Sequence, residues 1–140
     1  MKRYFFLFFT IFLLTLPLLA GEPESKAQNY TGTYILSHHK RYNTLEIFDF
    51  GDGRIKFHVL SELHLTDRSG NVPKGDSCGG IYLKGNQATY ESTDGTCTLI
   101  FTFNKDTVQV TQTKACYDFH VRADGLYTKK NSEDPSINCK

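Results

Sequence analysis

From about residue 30 to about residue 130, apolar and polar side chains alternate with period two, and each run of alternation is closed by Gly, Asn or Asp. Such a pattern puts one face of an extended segment in a core and the other in water, which commits the chain to half-buried strands. Arg54 to Thr66 is the clearest run: Ile55, Phe57, Val59, Leu63 and Leu65 fall on one face, and Arg54, Lys56, His58, Glu62 and His64 on the other. Similar runs cover Gly32 to Ser37, Asn43 to Phe50, Gly80 to Lys84, Gln87 to Ser92, Thr96 to Phe103, Thr107 to Thr113, Tyr117 to Val121 and Leu126 to Lys129. Between them stand Gly51-Asp52-Gly53, Gly85-Asn86, Asp94-Gly95, Asn104-Lys105-Asp106 and Asp124-Gly125. These residues supply positive φ or local side-chain to backbone bonds, the chemistry of tight turns.

Links this short make sequential strands antiparallel neighbours. A meander of about eight or nine strands hides its edges best by closing on itself. The expected fold is therefore all-β, an antiparallel up-and-down barrel of lipocalin-like type, with a two-sheet sandwich as the alternative. No stretch after residue 21 shows helical periodicity beyond about two turns. The segment Asp67 to Ser77 is the one link long and irregular enough to serve as a binding loop, with Asp67, Arg68, Asn71, Lys74 and Asp76 as its candidate contacts.

Upstream of the alternation, Met1-Lys2-Arg3 precedes an apolar run from Tyr4 to Leu19 that ends at Ala20-Gly21. This is the form of a cleavable secretory signal peptide over residues 1–21. The run of about 16 residues falls short of the ~20 that a spanning helix needs, and no basic stop-transfer cluster follows it. No membrane span is expected after cleavage, and without a cysteine at the exit no lipid anchor is expected there. The mature chain is expected in the periplasm or outside the cell. Residues 22–29 are polar and contain Pro23, a flexible lead-in to a domain over 30–130, and 131–140 form a polar tail.

Losing Lys2 and Arg3 takes the 16 basic residues to 14 against 15 acidic ones. The remaining basic residues are scattered and no Trp is present, so no nucleic-acid partner is expected. Cys78, Cys97, Cys116 and Cys139 all lie in the mature part. An even cysteine count in an exported chain signals disulfides, with three possible pairings. Wide spacings and the lack of a C-x-x-C pair speak against zinc.

Motifs for chemistry are weak. Gly75 to Gly80 reads GDSCGG, close to the GDSGGP of trypsin-like serine proteases. That family needs a histidine and a buried aspartate on a fold of two barrels. A cysteine interrupts the motif here, and about 119 mature residues are roughly half the needed length. His58, Glu62 and His64 share a strand face, but at ~3.3 Å per residue they stand roughly 13 and 7 Å apart, too far for one ion. His38 and His39 point to opposite faces if their strand continues. Asp49, Asp52 and Asp76 read as solvated turn acids, and Asn29-Tyr30-Thr31 fits the N-glycosylation pattern. No catalytic or metal residues and no cofactor are expected. An enzyme would need His58, His120 or Asp76 brought together with another polar group in one cleft. The aromatic residues say more: Phe57, Phe101, Phe103 and Phe119 are candidates to line a barrel, either as a filled core or around a pocket for an apolar ligand.

One stretch carries a resemblance. Gly85, Asn86, Ala88 and Tyr90, then Cys97, Leu99, Phe101 and Phe103, then Val108 and Val110, Cys116, and finally Asp124, Gly125 and Tyr127 before basic residues resemble the C-terminal half of a group of small bacterial exported proteins. The similarity spans residues 84–129. It implies a lipocalin-like barrel of largely unassigned function, some relatives of which resemble companions of lysozyme-inhibitor domains. The pattern departs after Cys116, where Tyr117-Asp118-Phe119-His120 replaces a glycine-rich stretch. With the matched cysteines in view, Cys97 and Cys116 bracket the hairpin turning at Asn104 to Asp106, with Cys97 opposite about Gln112 or Thr113. A bulge or bend would join Cys97 to Cys116, leaving Cys78 for Cys139. The expected function is an exported, non-enzymatic binding module for a protein partner or a small apolar ligand. The alternatives are an inhibitor of a secreted hydrolase such as lysozyme and a carrier of an apolar ligand.

Overall fold

The structure is a computed structural model, and it describes residues 28–39, 41–64, 71–114, 116–117 and 121–139. Eight strands run β1 (Gly32–His38), β2 (Arg41–Asp49), β3 (Arg54–Leu63), β4 (Lys74–Tyr82), β5 (Gln87–Glu91), β6 (Thr98–Phe103), β7 (Thr107–Gln112) and β8 (Gly125–Asn131). All pair antiparallel in one sheet of order β4-β3-β2-β1-β8-β7-β6-β5. Every pair of strands consecutive in sequence is hydrogen-bonded except β4 and β5, and β1 pairs with β8. The sheet thus curls into an up-and-down barrel that is closed except between β4 and β5, where one isolated bridge joins Lys84 to Gln87. No helix is present among the described residues, so none is long and apolar enough to cross a membrane.

Alternation sets the faces as the sequence implied. In β3, Ile55, Phe57 and Val59 are buried while Lys56 and His58 are half-exposed. The inward phase continues through Ser61, a polar residue with no exposed surface. The strand stops at Leu63, short of Thr66; His64 is outside it, and residues 65–70 lie outside the described residues.

Three expectations need correction. Lys74, Asp76 and Ser77 belong to strand β4, not to a loop, because β4 pairs with β3 over its whole length from Glu62↔Lys74 to Arg54↔Tyr82. Glycine made this segment look irregular, yet Gly75 and Gly79 face inward, where rings cover them. A Cβ on Gly75 would lie 2.3 Å from Cγ of Tyr117, and one on Gly79 2.8 Å from Cε2 of Tyr90. Secondly, Tyr117 and Val121 are not in a strand; residues 118–120, and with them Phe119 and His120, lie outside the described residues. Thirdly, His38 and His39 do not diverge. The strand ends at His38, His39 turns with φ 52°, and the two rings meet edge to face at 4.1 Å.

The disulfides join Cys78 to Cys139 and Cys97 to Cys116. The β6–β7 register places Leu99 opposite Gln112, so the bend after β7 carries Cys116 back to Cys97. The segment after β8 crosses the outer face of β3, where Lys56 Nζ donates to Ile137 O at 2.9 Å and Ile137 is buried. Two such bonds are at home in an oxidising compartment.

Candidate functional site

Inside the barrel, Phe57, Phe101 and Phe103 are buried together with Tyr34 and Tyr127. Phe57 meets Phe101 at 4.8 Å and Tyr90 at 5.0 Å between ring centroids, and Tyr30 meets Phe103 at 4.8 Å. Contacts at this range are those of packed aromatic cores. Phe57, Phe101 and Phe103 therefore pack against one another and against tyrosine rings within the barrel.

One end of this core is polar. Asn43 and Ser61 are direct partners across β2 and β3, and both are fully buried. Asn43 Nδ2 donates to Arg122 O at 2.9 Å and to the Tyr127 hydroxyl at 3.1 Å, and that hydroxyl donates to Ala123 O at 2.6 Å. Gln112 Oε1 accepts from Ala123 N at 2.9 Å. Tyr117 donates to Ser77 Oγ at 3.0 Å. Burial pushes the Tyr117 phenol up to about 12, with the bond to Ser77 opposing that rise, and burial raises Tyr127 as well. Among the described residues Asn43 Oδ1 and Ser61 Oγ have no hydrogen-bond partner, although the Ser61 hydroxyl lies near enough to the Tyr117 and Tyr127 phenols to oppose the rise in their pKa. This network closes the barrel end with side chains. Its members were hidden in the sequence because each is a lone polar residue; only the inward phase of positions 43 and 61 pointed to them.

An opening runs along the β4–β5 seam. A groove of about 610 Å³ is walled by Asp76, Ser77 and Cys78 on one bank and by Tyr90, Ser92, Asp94 and Thr96 on the other. Both disulfides border it, as does Asn138 of the terminal segment. His58 lies at its edge with Nδ1 3.2 Å from Glu46 Oε2 and Nε2 3.0 Å from Asp76 Oδ1. The Asp94 carboxylate accepts from Ser92 Oγ at 2.6 Å and from Thr96 N at 3.1 Å. Those bonds hold its pKa down at about 2.

Of the binding-loop candidates, Lys74 pairs with Glu62 at 2.6 Å and Asp76 with His58. Asn71 lies before β4, whereas Asp67 and Arg68 fall outside the described residues. His58 and Asp76 do meet in one cleft, as an enzyme would require. Both ring nitrogens face carboxylates, however, so neither is positioned against a serine hydroxyl. The Glu46 contact was within reach of sequence reasoning, because a hairpin centred on Asp52 sets Glu46 opposite His58. The Asp76 contact was not, since the longer β3–β4 link left that register open. Among the described residues, no three His, Cys, Asp or Glu side chains are grouped to hold a metal ion.

Beside the seam, the outer face carries a second, apolar groove of about 450 Å³, lined by Phe50, Ile55, Gly80, Tyr82 and Cys139 among others. Tyr82 is 70% exposed and Phe50 49%, and both line this groove. Compared with protein-family models, curated proteins and solved structures, the chain finds no match.

Proposed function

We propose that this chain is an exported, non-enzymatic binding module, periplasmic or secreted, that engages a protein partner on its surface and does not carry an apolar ligand inside. The observation that supports this reading is the packed interior. An apolar ligand pocket needs some hundreds of cubic ångströms lined by apolar groups, and the rings of Phe57, Phe101 and Phe103 occupy that space themselves. What the surface offers instead is an open seam with polar walls beside exposed Tyr82 and Phe50, the mixture typical of a contact surface. Native mass spectrometry of the purified protein, followed by titration with a fluorescent fatty acid, tests it. No stoichiometric ligand and no saturable binding at micromolar concentration are expected; a one-to-one complex would overturn the reading. Lysozyme is the first partner to try, by inhibition assay and co-elution from a sizing column.

A further inference from the structure

Backbone bonds at the two ends of β4 fix which of its groups face the seam. Leu63 N donates to Pro73 O at 3.0 Å and Leu83 N to Gly53 O at 2.8 Å. In an antiparallel ladder the bonded and non-bonded positions alternate, so Gly75, Ser77, Gly79 and Ile81 bond to β3. Lys74, Asp76, Cys78, Gly80 and Tyr82 therefore turn their N–H and C=O groups toward β5. The same logic applies to β5, where Ser92 N donates to Cys97 O and Phe103 N to Asn86 O; Gln87, Thr89 and Glu91 face the seam. Gln87 exchanges both bonds with Lys84, at 2.7 and 3.2 Å. Beyond that bridge no ladder joins the two strands.

At the inner side of the seam the Tyr90 ring lies on Gly79. The two strands leave a smaller groove of about 390 Å³ at the turn, between Gly80–Tyr82 and Gln87–Thr89, and the larger one beyond it. Gly80 sits between the two, with open space where a side chain would be. Disulfides anchor Cys78 on one bank and Cys97 on the other, so the slot is already formed and an occupant is spared the cost of ordering it. Free strand edges of this kind are ordinarily blocked or used.

We infer that the partner, on the protein-binding reading above, inserts an extended segment carrying a basic residue along the β4 edge from Asp76 to Gly80, adding a strand to the barrel. Strand addition draws affinity from main-chain bonds and selectivity from flanking side-chain sites. The slot is about five residues long at ~3.3 Å per residue. Charge decides the polarity of the segment. Among the described residues the groove is lined by the Asp76 and Asp94 carboxylates, and His58 at its edge is held between Glu46 and Asp76. A lysine or arginine on the inserted segment would complement the ionised Asp94 carboxylate. The apolar groove at Gly80, Tyr82 and Phe50 accepts a neighbouring side chain on the outer face.

The test selects a phage-displayed random heptapeptide library on the intact oxidised protein, then measures amide hydrogen exchange with an enriched synthetic peptide. Enrichment of basic peptides is expected, with new protection at Asp76, Cys78 and Gly80 while Gly75, Ser77 and Gly79 stay protected with or without peptide. Gly80→Pro removes one seam-facing N–H and leaves the β3 ladder intact; it should weaken the peptide on the order of tenfold with an unchanged melting temperature. Asp94→Asn should weaken it comparably and abolish the salt dependence. Three results overturn the inference: no enriched peptide, equal binding to Gly80→Pro, or protection confined to residues around Phe50 and Tyr82. The last would leave protein binding standing and remove strand addition alone, whereas a stoichiometric apolar ligand would remove the protein-binding reading.

Discussion

Gly75→Ala should unfold this barrel more readily through a single contact, the Tyr117 ring. The new methyl would sit 2.3 Å from Cγ and 2.6 Å from both Cδ atoms of that ring, well inside van der Waals contact, so the ring must leave its seat. Overpacking of this kind costs ~1–3 kcal/mol. Displacing the ring also breaks the 3.0 Å bond from the Tyr117 hydroxyl to Ser77 Oγ, worth ~1 kcal/mol. The sum is about 2–4 kcal/mol, or a melting temperature lower by on the order of 10 °C for a domain of this size. Urea denaturation of the oxidised protein measures it as a change in midpoint at constant slope. The discriminating arm is the double-mutant cycle. In a Tyr117→Ala background the methyl meets no ring, so adding Gly75→Ala should cost less than ~0.5 kcal/mol, a coupling of at least ~1.5 kcal/mol. Equal cost in both backgrounds would refute the argument that Gly75 leaves room for the Tyr117 ring.

The polar end of the core makes a contrasting pair of expectations. Tyr127→Phe removes the hydroxyl that bonds Asn43 and Ala123 and should cost ~1–3 kcal/mol, whereas Ser61→Ala removes a buried hydroxyl with no partner among the described residues and should cost less than that by the same denaturation assay. Replacing Cys78 and Cys139 by Ser frees a loop of 61 residues, and replacing Cys97 and Cys116 one of 19; loop entropy gives ~4 and ~3 kcal/mol, so the first pair should lower the melting temperature more. Stability should fall on the alkaline side. Burial raises Tyr117 from its ordinary 10.0 to about 12 and raises Tyr34 and Tyr127 in the same direction. A group whose folded pKa is raised stabilises fully below its unfolded value and loses that contribution as pH climbs through the folded one. Unfolding between about pH 10 and 12, followed by circular dichroism together with phenolate absorbance, is the expected course, and full retention of structure above that window would contradict it.

The path from sequence to site shows what period two can and cannot carry. Its phase put Ile55, Phe57 and Val59 inside, and the Gly51-Asp52-Gly53 turn was enough to set Glu46 against His58. It failed where glycine stood at inward positions. Gly75 and Gly79 gave no apolar signal, because the apolar surface at those positions is supplied by Tyr117 and Tyr90 from elsewhere in the chain. The segment therefore read as a loop, and the strand edge that now forms one bank of the candidate site was invisible. Composition alone places Asp76 in that loop; in β4 it is a groove wall with a histidine partner.

By itself the sequence determined the all-β class, the antiparallel pairing of strands joined by tight turns and the wet face of the alternating runs, because side-chain alternation and turn chemistry are local properties that need no partner; it did not fix the strand set, since Tyr117 and Val121 are in no strand and β4 begins at Lys74. Tertiary structure alone decided that the interior is filled and that the barrel fails to close between β4 and β5. Both depend on how rings from distant strands share one space: Phe57 against Phe101 in the core, and Tyr90 over Gly79 at the seam. Volume and closure are sums over the whole barrel, and no single segment carries them.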